Sequence, residues 1–107
     1  MIYELRTYYA APGKMDALNA RFRDHTIGLF ERHGIEVVGF WVPDDEPETL
    51  VYMLRFRDRE AMKAAWDAFR GDADWQRVKA ESETDGSLVA RLTSQVLVPT
   101  DYSRPLN

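Results

Sequence analysis

Cysteine is absent from this chain of 107 residues, which excludes a disulfide framework and any thiolate site, metal-binding or nucleophilic. No uninterrupted apolar run approaches the roughly 20 residues that a membrane helix needs. The opening Met1-Ile2-Tyr3-Glu4-Leu5-Arg6 lacks the basic start and small-residue cleavage site of a signal peptide. Basic charge is not in excess: 14 Lys and Arg against 18 Asp and Glu leave a net charge of -4 and a pI near 5.1. That balance argues against a general nucleic-acid binder. Also missing are a Gly-rich phosphate loop, a G-x-S-x-G elbow and an acidic cluster on a glycine loop. Asp44-Asp45-Glu46 runs into Pro47 and reads as a solvated turn. The expectation is a cytoplasmic domain with no nucleic-acid and no membrane partner.

What is present suits a folded domain. Apolar residues reach 45% and charged residues 30%, so disorder is not expected and residues 1–107 read as one domain. Three Trp, five Tyr and five Phe are a generous aromatic supply for a chain whose small size limits its private core. Some of those rings are expected to cover a partner subunit or a pocket.

Residues 2–9 alternate as a strand, with Tyr3, Leu5, Thr7 and Tyr9 on one side and Ile2, Glu4, Arg6 and Tyr8 on the other. Ala11-Pro12-Gly13 breaks it, and Pro12 fits the first turn of a helix. Met15, Leu18, Phe22, Leu29 and Phe30 recur at helical spacing over 15–33, and Gly34 suits the left-handed end. Residues 35–42 and 49–56 read as strands two and three of a hairpin across a polar turn. Asp58 is placed to cap a helix carrying Met62, Ala65, Trp66 and Phe69. After Gly71-Asp72 a shorter helix reaches about Glu83, and residues 88–98 form the last strand. Residues 99–107 read as a loop-like arm.

The order is β-α-β-β-α-β with a small extra helix: an α+β, ferredoxin-like pattern, a four-stranded antiparallel sheet with helices on one face. Strands two and three nonetheless carry apolar side chains on both faces. By strict alternation Ile35, Val37 and Trp41 oppose Val38, Phe40 and Val42. A sheet with one face in water alternates more cleanly, so the second face needs a cover. A second copy of the chain is the simplest one, and a homodimer is expected, with the arm and its Tyr102 and Leu106 reaching toward the partner.

Several stretches are shared with a known family. Tyr3-Glu4-Leu5-Arg6-Thr7-Tyr8, Pro12-Gly13-Lys14, His33-Gly34-Ile35 leading to Gly39-Phe40-Trp41, and Asp101-Tyr102-Ser103 together resemble the NIPSNAP family, in order and spacing over nearly the whole chain. The resemblance implies a dimeric α+β barrel, in which two ferredoxin-like sheets pack face to face. Eukaryotic members are mitochondrial proteins linked with vesicle traffic and mitophagy signalling, and bacterial single-domain members are mostly uncharacterised. Without a targeting segment this chain is similar to the bacterial kind. Wider relatives include cofactor-free monooxygenases and haem-degrading enzymes with a pocket between helices and sheet.

Two groups of residues are candidates for binding. Glu4, Arg6 and Tyr8 share one face of a central strand, where a carboxylate and a guanidinium need pairing. They read either as a structural ion pair or as an anchor, with Arg6 holding a ligand, Glu4 orienting it and Tyr8 hydrogen-bonding. Asn19 and Thr26 interrupt the apolar stripe of the first helix; they bond either to nearby backbone or into a pocket facing Arg6 and Trp66. Trp66 has a counterpart on the second helix of quinone-forming monooxygenases, which pair it with a strand Asn where this chain has Arg6. A Trp, Met, Phe stripe at helical spacing is more often core. His33, before Gly34, reads as helix-terminating. His25 has no second His, Cys or His-x-x-Glu grouping beside it. Haem-degrading relatives place a His after the second helix, where Trp75-Gln76-Arg77-Val78 has none. No metal and no cofactor are expected, and no residue is assigned a catalytic role. The reading is a small organic ligand held between sheet and helices of a homodimer. The alternatives are a cofactor-independent monooxygenase or isomerase, and a non-catalytic interaction module.

Overall fold

In a computed structural model, described over residues 1–105, the chain runs β1 (Ile2–Ala10), α1 (Met15–Arg21), a π-helical turn (Phe22–Thr26) and α2 (Ile27–Arg32). It continues with β2 (Glu36–Trp41), β3 (Thr49–Phe56), α3 (Arg59–Arg70), α4 (Ala73–Ser82) and β4 (Val89–Leu97). The strands make one antiparallel sheet in the order β2-β3-β1-β4. This is the ferredoxin-like arrangement that the periodicities predict, and it makes β1 central: Arg6 lies opposite Tyr52 on one side and Ser94 on the other.

Period-two alternation decides which residues meet the helices. On β3, Leu50, Tyr52, Leu54 and Phe56 are buried, while Val51, Met53 and Arg55 between them are only half-buried. Against the buried row pack Leu18, Phe22 and Phe30 of the first helix and Trp66 and Phe69 of α3. The rings meet edge-on or tilted, Phe22 with Tyr52 at 5.1 Å and Phe30 with Phe69 at 5.0 Å, the arrangement aromatic quadrupoles favour.

Local signals hold at most helix ends. Asp58 caps α3 by accepting from the Ala61 N–H at 2.8 Å, and Asp72 caps α4 by accepting from Asp74 N–H at 2.8 Å. Gly34 adopts φ +71° and ends α2. Ile35 N–H there reaches the Phe30 carbonyl, and Gly34 N–H reaches that of Glu31, which satisfies carbonyls the helix leaves over. Pro12 is the exception: with Gly13 it forms a turn, and the first helical residue is Met15.

Two irregularities correct the expected patterns. The register between β2 and β3 slips between Val37 and Gly39, so Val37 and Phe40 both pack on the core while Trp41 lies on the other face. A bulge inserts one unpaired residue, which strict alternation cannot anticipate. The first helix likewise contains a π turn at its centre, where a single uninterrupted α-helix is predicted.

The molecule is 19 Å through its thinnest axis, one sheet and one helix layer. The face of the sheet away from the helices carries Leu5, Val51 and Met53, half-buried, with Trp41 50% and Leu97 37% exposed. Trp41 lies flat across Gly39: a Cβ at position 39 would sit 2.8 Å from the indole Cζ2. Residues 99–105 run past Met1, Tyr3 and Met53 at one end of this face, and Tyr102 projects outward, 86% exposed. Leu106 lies outside the described residues. Among the described residues no helix is long and apolar enough to cross a membrane.

Candidate ligand cavity

The alternation of β1 delivers Glu4, Arg6 and Tyr8 to the helix side of the sheet, where Glu4 and Arg6 are buried. The Glu4 carboxylate accepts three hydrogen bonds: from Arg6 Nη1 at 2.8 Å, from the Ser94 hydroxyl at 2.6 Å and from Trp66 Nε1 at 2.7 Å. Burial alone would raise its pKa. The bonds from Ser94, Trp66 and Arg6 outweigh that and hold it below the usual carboxylate range. Arg6 stacks on the Trp66 indole at 4.5 Å and donates through Nη2 to the Tyr8 hydroxyl at 3.2 Å. Burial opposes its charge, yet Tyr52, Tyr8 and Glu4 around it raise its pKa further. It remains a cation.

Tyr52, fully buried on β3, donates its hydroxyl to Tyr8 at 2.9 Å. Burial first, and Tyr8 second, push Tyr52 well above the ordinary phenol value. β4, β1, β3 and α3 are thereby joined through one hydrogen-bonded chain: Ser94, Trp66 and Arg6 converge on Glu4, and Arg6 and Tyr52 converge on Tyr8.

Beside this chain lies a cavity of about 390 Å³, partly open to solvent. Residues 89–92 of β4 and Tyr8 of β1 form its sheet wall. The first helix contributes Phe22, Thr26 and Phe30, and α3 contributes Trp66 and Phe69. Trp75, Lys79 and Glu83 close the side toward α4. Its body is therefore aromatic, with polar groups at Tyr8 and Thr26, at Ser87 and Arg91 on the β4 side, and in a cluster in which Arg21 Nη1 donates to Glu83 at 2.8 Å and to Ser82 at 3.1 Å. Lys79 approaches the same Glu83 at 3.4 Å. The size is within the usual range of small-molecule sites, roughly 300–1,000 Å³.

The π turn shapes this wall. Thr26 is buried and its hydroxyl donates to the Arg21 carbonyl at 3.2 Å, five residues back, which is the spacing of a π turn. Such insertions change which side chains face a site and recur at functional positions.

The NIPSNAP family profile matches residues 3–104. The chain belongs to the NIPSNAP family. Solved structures agree in fold. A NIPSNAP family protein from Agrobacterium tumefaciens superposes with a TM-score of 0.85 at 23% identity, covering 99% of this chain and 98% of that one. An uncharacterized NIPSNAP-like domain protein from Burkholderia xenovorans gives 0.83 at 20% identity, over 99% and 90%. An antibiotic biosynthesis monooxygenase gives 0.63 at 14% identity, over 94% and 99%. At these identities the likeness is one of fold. No curated protein matches the chain.

The six candidate residues take different places in this NIPSNAP domain. Tyr8, Thr26 and Trp66 line the cavity. Glu4 and Arg6 stand behind it, bonded to Trp66 and Tyr8. Asn19 is on another flank of the first helix, in a separate concavity with Asp16, Arg23, Ile27 and Phe40. His33 is tied to Asp72, the α4 cap, at 2.6 Å. Arg21 was not a candidate on sequence grounds, although its side chain is only 6% exposed. At 100° per residue it falls well off the apolar stripe, and its partners Ser82 and Glu83 are 61 and 62 residues away. Among the described residues no group of three or more His, Asp or Glu could hold a metal ion.

Proposed function

We propose that this NIPSNAP protein is a cytoplasmic homodimer in which each protomer binds a small, largely apolar organic molecule between the sheet and the helices. The observation that carries the reading is the cavity itself. Phe22, Phe30, Trp66, Phe69 and Trp75 surround about 390 Å³ that the chain's own side chains leave unfilled. A pure interaction module has no use for such a space, because packing it would add stability. The uncovered sheet face, with Trp41 and Leu97 exposed beside half-buried Leu5, Val51 and Met53, supports a second copy of the chain as the partner.

Native mass spectrometry on freshly purified protein tests both parts. The expected result is a dimer carrying a bound small molecule that is lost when Phe69→Ala or Trp75→Ala reshapes the cavity. Wild-type protein that exchanges with no member of a diverse library of aromatic compounds overturns the ligand reading. A monomer at micromolar concentration in sedimentation overturns the dimer.

A further inference from the structure

Two donors on the cavity wall have no acceptor among the described residues: Arg21 Nε, which is buried, and the Tyr8 hydroxyl. Tyr52 is fully buried, and among the described residues its hydroxyl hydrogen has only the Tyr8 oxygen to go to. Were it to accept from Tyr8 instead, a hydroxyl proton would be stranded in the core. Tyr52 therefore donates, and Arg6 Nη2 also donates to the same Tyr8 oxygen. A phenol oxygen has two acceptor positions and one proton to give. Both acceptor positions are filled, and among the described residues nothing receives the Tyr8 proton. Tyr8 lines the cavity, so a ligand is the natural acceptor. Two donors on its oxygen polarise the O–H bond and strengthen it as a donor.

The charges nearby indicate what kind of acceptor. Glu4 and Arg6 neutralise one another behind Tyr8, and Arg21 is closed on Glu83 across the cavity. Among the described residues Arg6 is the only cation bonded to the Tyr8 hydroxyl, and Arg91, which also lines the cavity, holds its guanidinium 4.0 Å over the Tyr9 ring. We infer that the cavity takes an uncharged aromatic carbonyl compound, its oxygen accepting from Tyr8 and its rings lying among Phe30, Trp66, Phe69 and Trp75. This rests on the ligand reading above and adds the polar anchor to it.

The test compares 2-acetylnaphthalene with 2-isopropylnaphthalene, which has a methyl group in place of the oxygen, and with the anion 2-naphthoate. Dissociation constants come from the indole N–H signals of Trp66 and Trp75 in nitrogen-15 spectra, for the wild type and Tyr8→Phe. Because the hydrocarbon leaves water more readily, the quantity read is the change in ketone-over-hydrocarbon preference between the two proteins. Tyr8→Phe is expected to lower that preference about fivefold, the typical worth of one neutral hydrogen bond, while the hydrocarbon binds as before. An unchanged preference overturns the inference and leaves the cavity reading intact. 2-Naphthoate binding more tightly than the ketone overturns the uncharged class. If neither naphthalene moves the indole signals, the cavity reading fails as well. Should Tyr8→Phe not fold, the infrared carbonyl stretch of the ketone bound to wild type decides. A stretch below its value in hexane is expected, and one at the hexane value overturns the inference.

Discussion

Glu4 and Arg6 form the most consequential pair in the molecule, and their energetics can be checked by a double-mutant cycle. Arg6→Met removes the guanidinium and leaves the Glu4 carboxylate, 5% exposed at its side chain, with only Ser94 and Trp66 as donors. Glu4→Gln leaves Arg6, 10% exposed, held by the Tyr8 hydroxyl and the face of Trp66. Breaking a buried pair from one side typically costs about 3–5 kcal/mol, because an uncompensated charge stays behind. Each single variant should fall in that range, Arg6→Met toward the lower end because two donors still serve Glu4. The double variant strands no charge, so its loss should be at least ~2 kcal/mol smaller than the sum of the singles. Urea unfolding at pH 7 and fixed protein concentration, with the slope unchanged, measures all three.

Acid supplies a second check on the same pair. The folded-state pKa of Glu4 is depressed, so its contribution is complete above the unfolded value and is lost as pH falls below the usual carboxylate range. Glu4→Gln should flatten that part of the stability curve. Singles that add to the double within ~0.5 kcal/mol would show no coupling and refute the reasoning. An Arg6→Met variant as stable as wild type, or more stable, would indicate a group held for a ligand at some expense in stability.

Five further outcomes are expected. Asp72 has its carboxyl pulled down to about 2 by the His33 hydrogen bond, with the Asp74 N–H and Arg32 assisting against burial. Its contribution is therefore present above pH ~4 and lost between about 4 and 2; Asp72→Ala should lower the thermal midpoint at pH 7 and shrink the loss across that window. Thr26→Val keeps the shape and removes the bond to the Arg21 carbonyl, and should cost about 1 kcal/mol in urea unfolding; no change would mean that the hydroxyl does not hold the π turn. Val51→Arg, at the position paired with Trp41 on the sheet face away from the helices, should shift the proposed dimer to monomer in sedimentation. Gly39→Ala, which must lift the Trp41 indole, should weaken the proposed dimer in the same direction, and so should deletion of 100–107; an unchanged dimer after that deletion would refute docking of the arm on the partner.

Which parts of this structure were legible beforehand follows from how far each feature reaches along the chain. The β1 alternation needs only neighbours two apart, so Glu4, Arg6 and Tyr8 could be placed on one face of a central strand from the sequence alone. Asp58 announced its cap because the N–H it accepts from belongs to Ala61, three residues on. The bulge before Gly39 and the π turn at Phe22–Thr26 each insert a residue into a regular period, and a period cannot report its own interruption. Asn19 illustrates the cost of assuming regularity. Counted at 100° per residue it shares a stripe with Phe22 and Thr26, yet it sits toward β2, near Phe40, while Thr26 sits toward the cavity.

Arg21 marks the harder limit, since an arginine off the stripe reads as solvated until α4 arrives from sixty residues away to bury it. Tyr8 combines both cases. Its face was readable, but the saturation of its oxygen depends on Tyr52, 44 residues on, and on Arg6, two residues back. Neither the strand pattern nor the pairing of Arg6 with Glu4 implies a spare proton. That property arises only when a second donor, fully buried and without another acceptor, is fixed against the same oxygen by the β1–β3 register that sets Tyr8 opposite Leu50 and Arg6 opposite Tyr52.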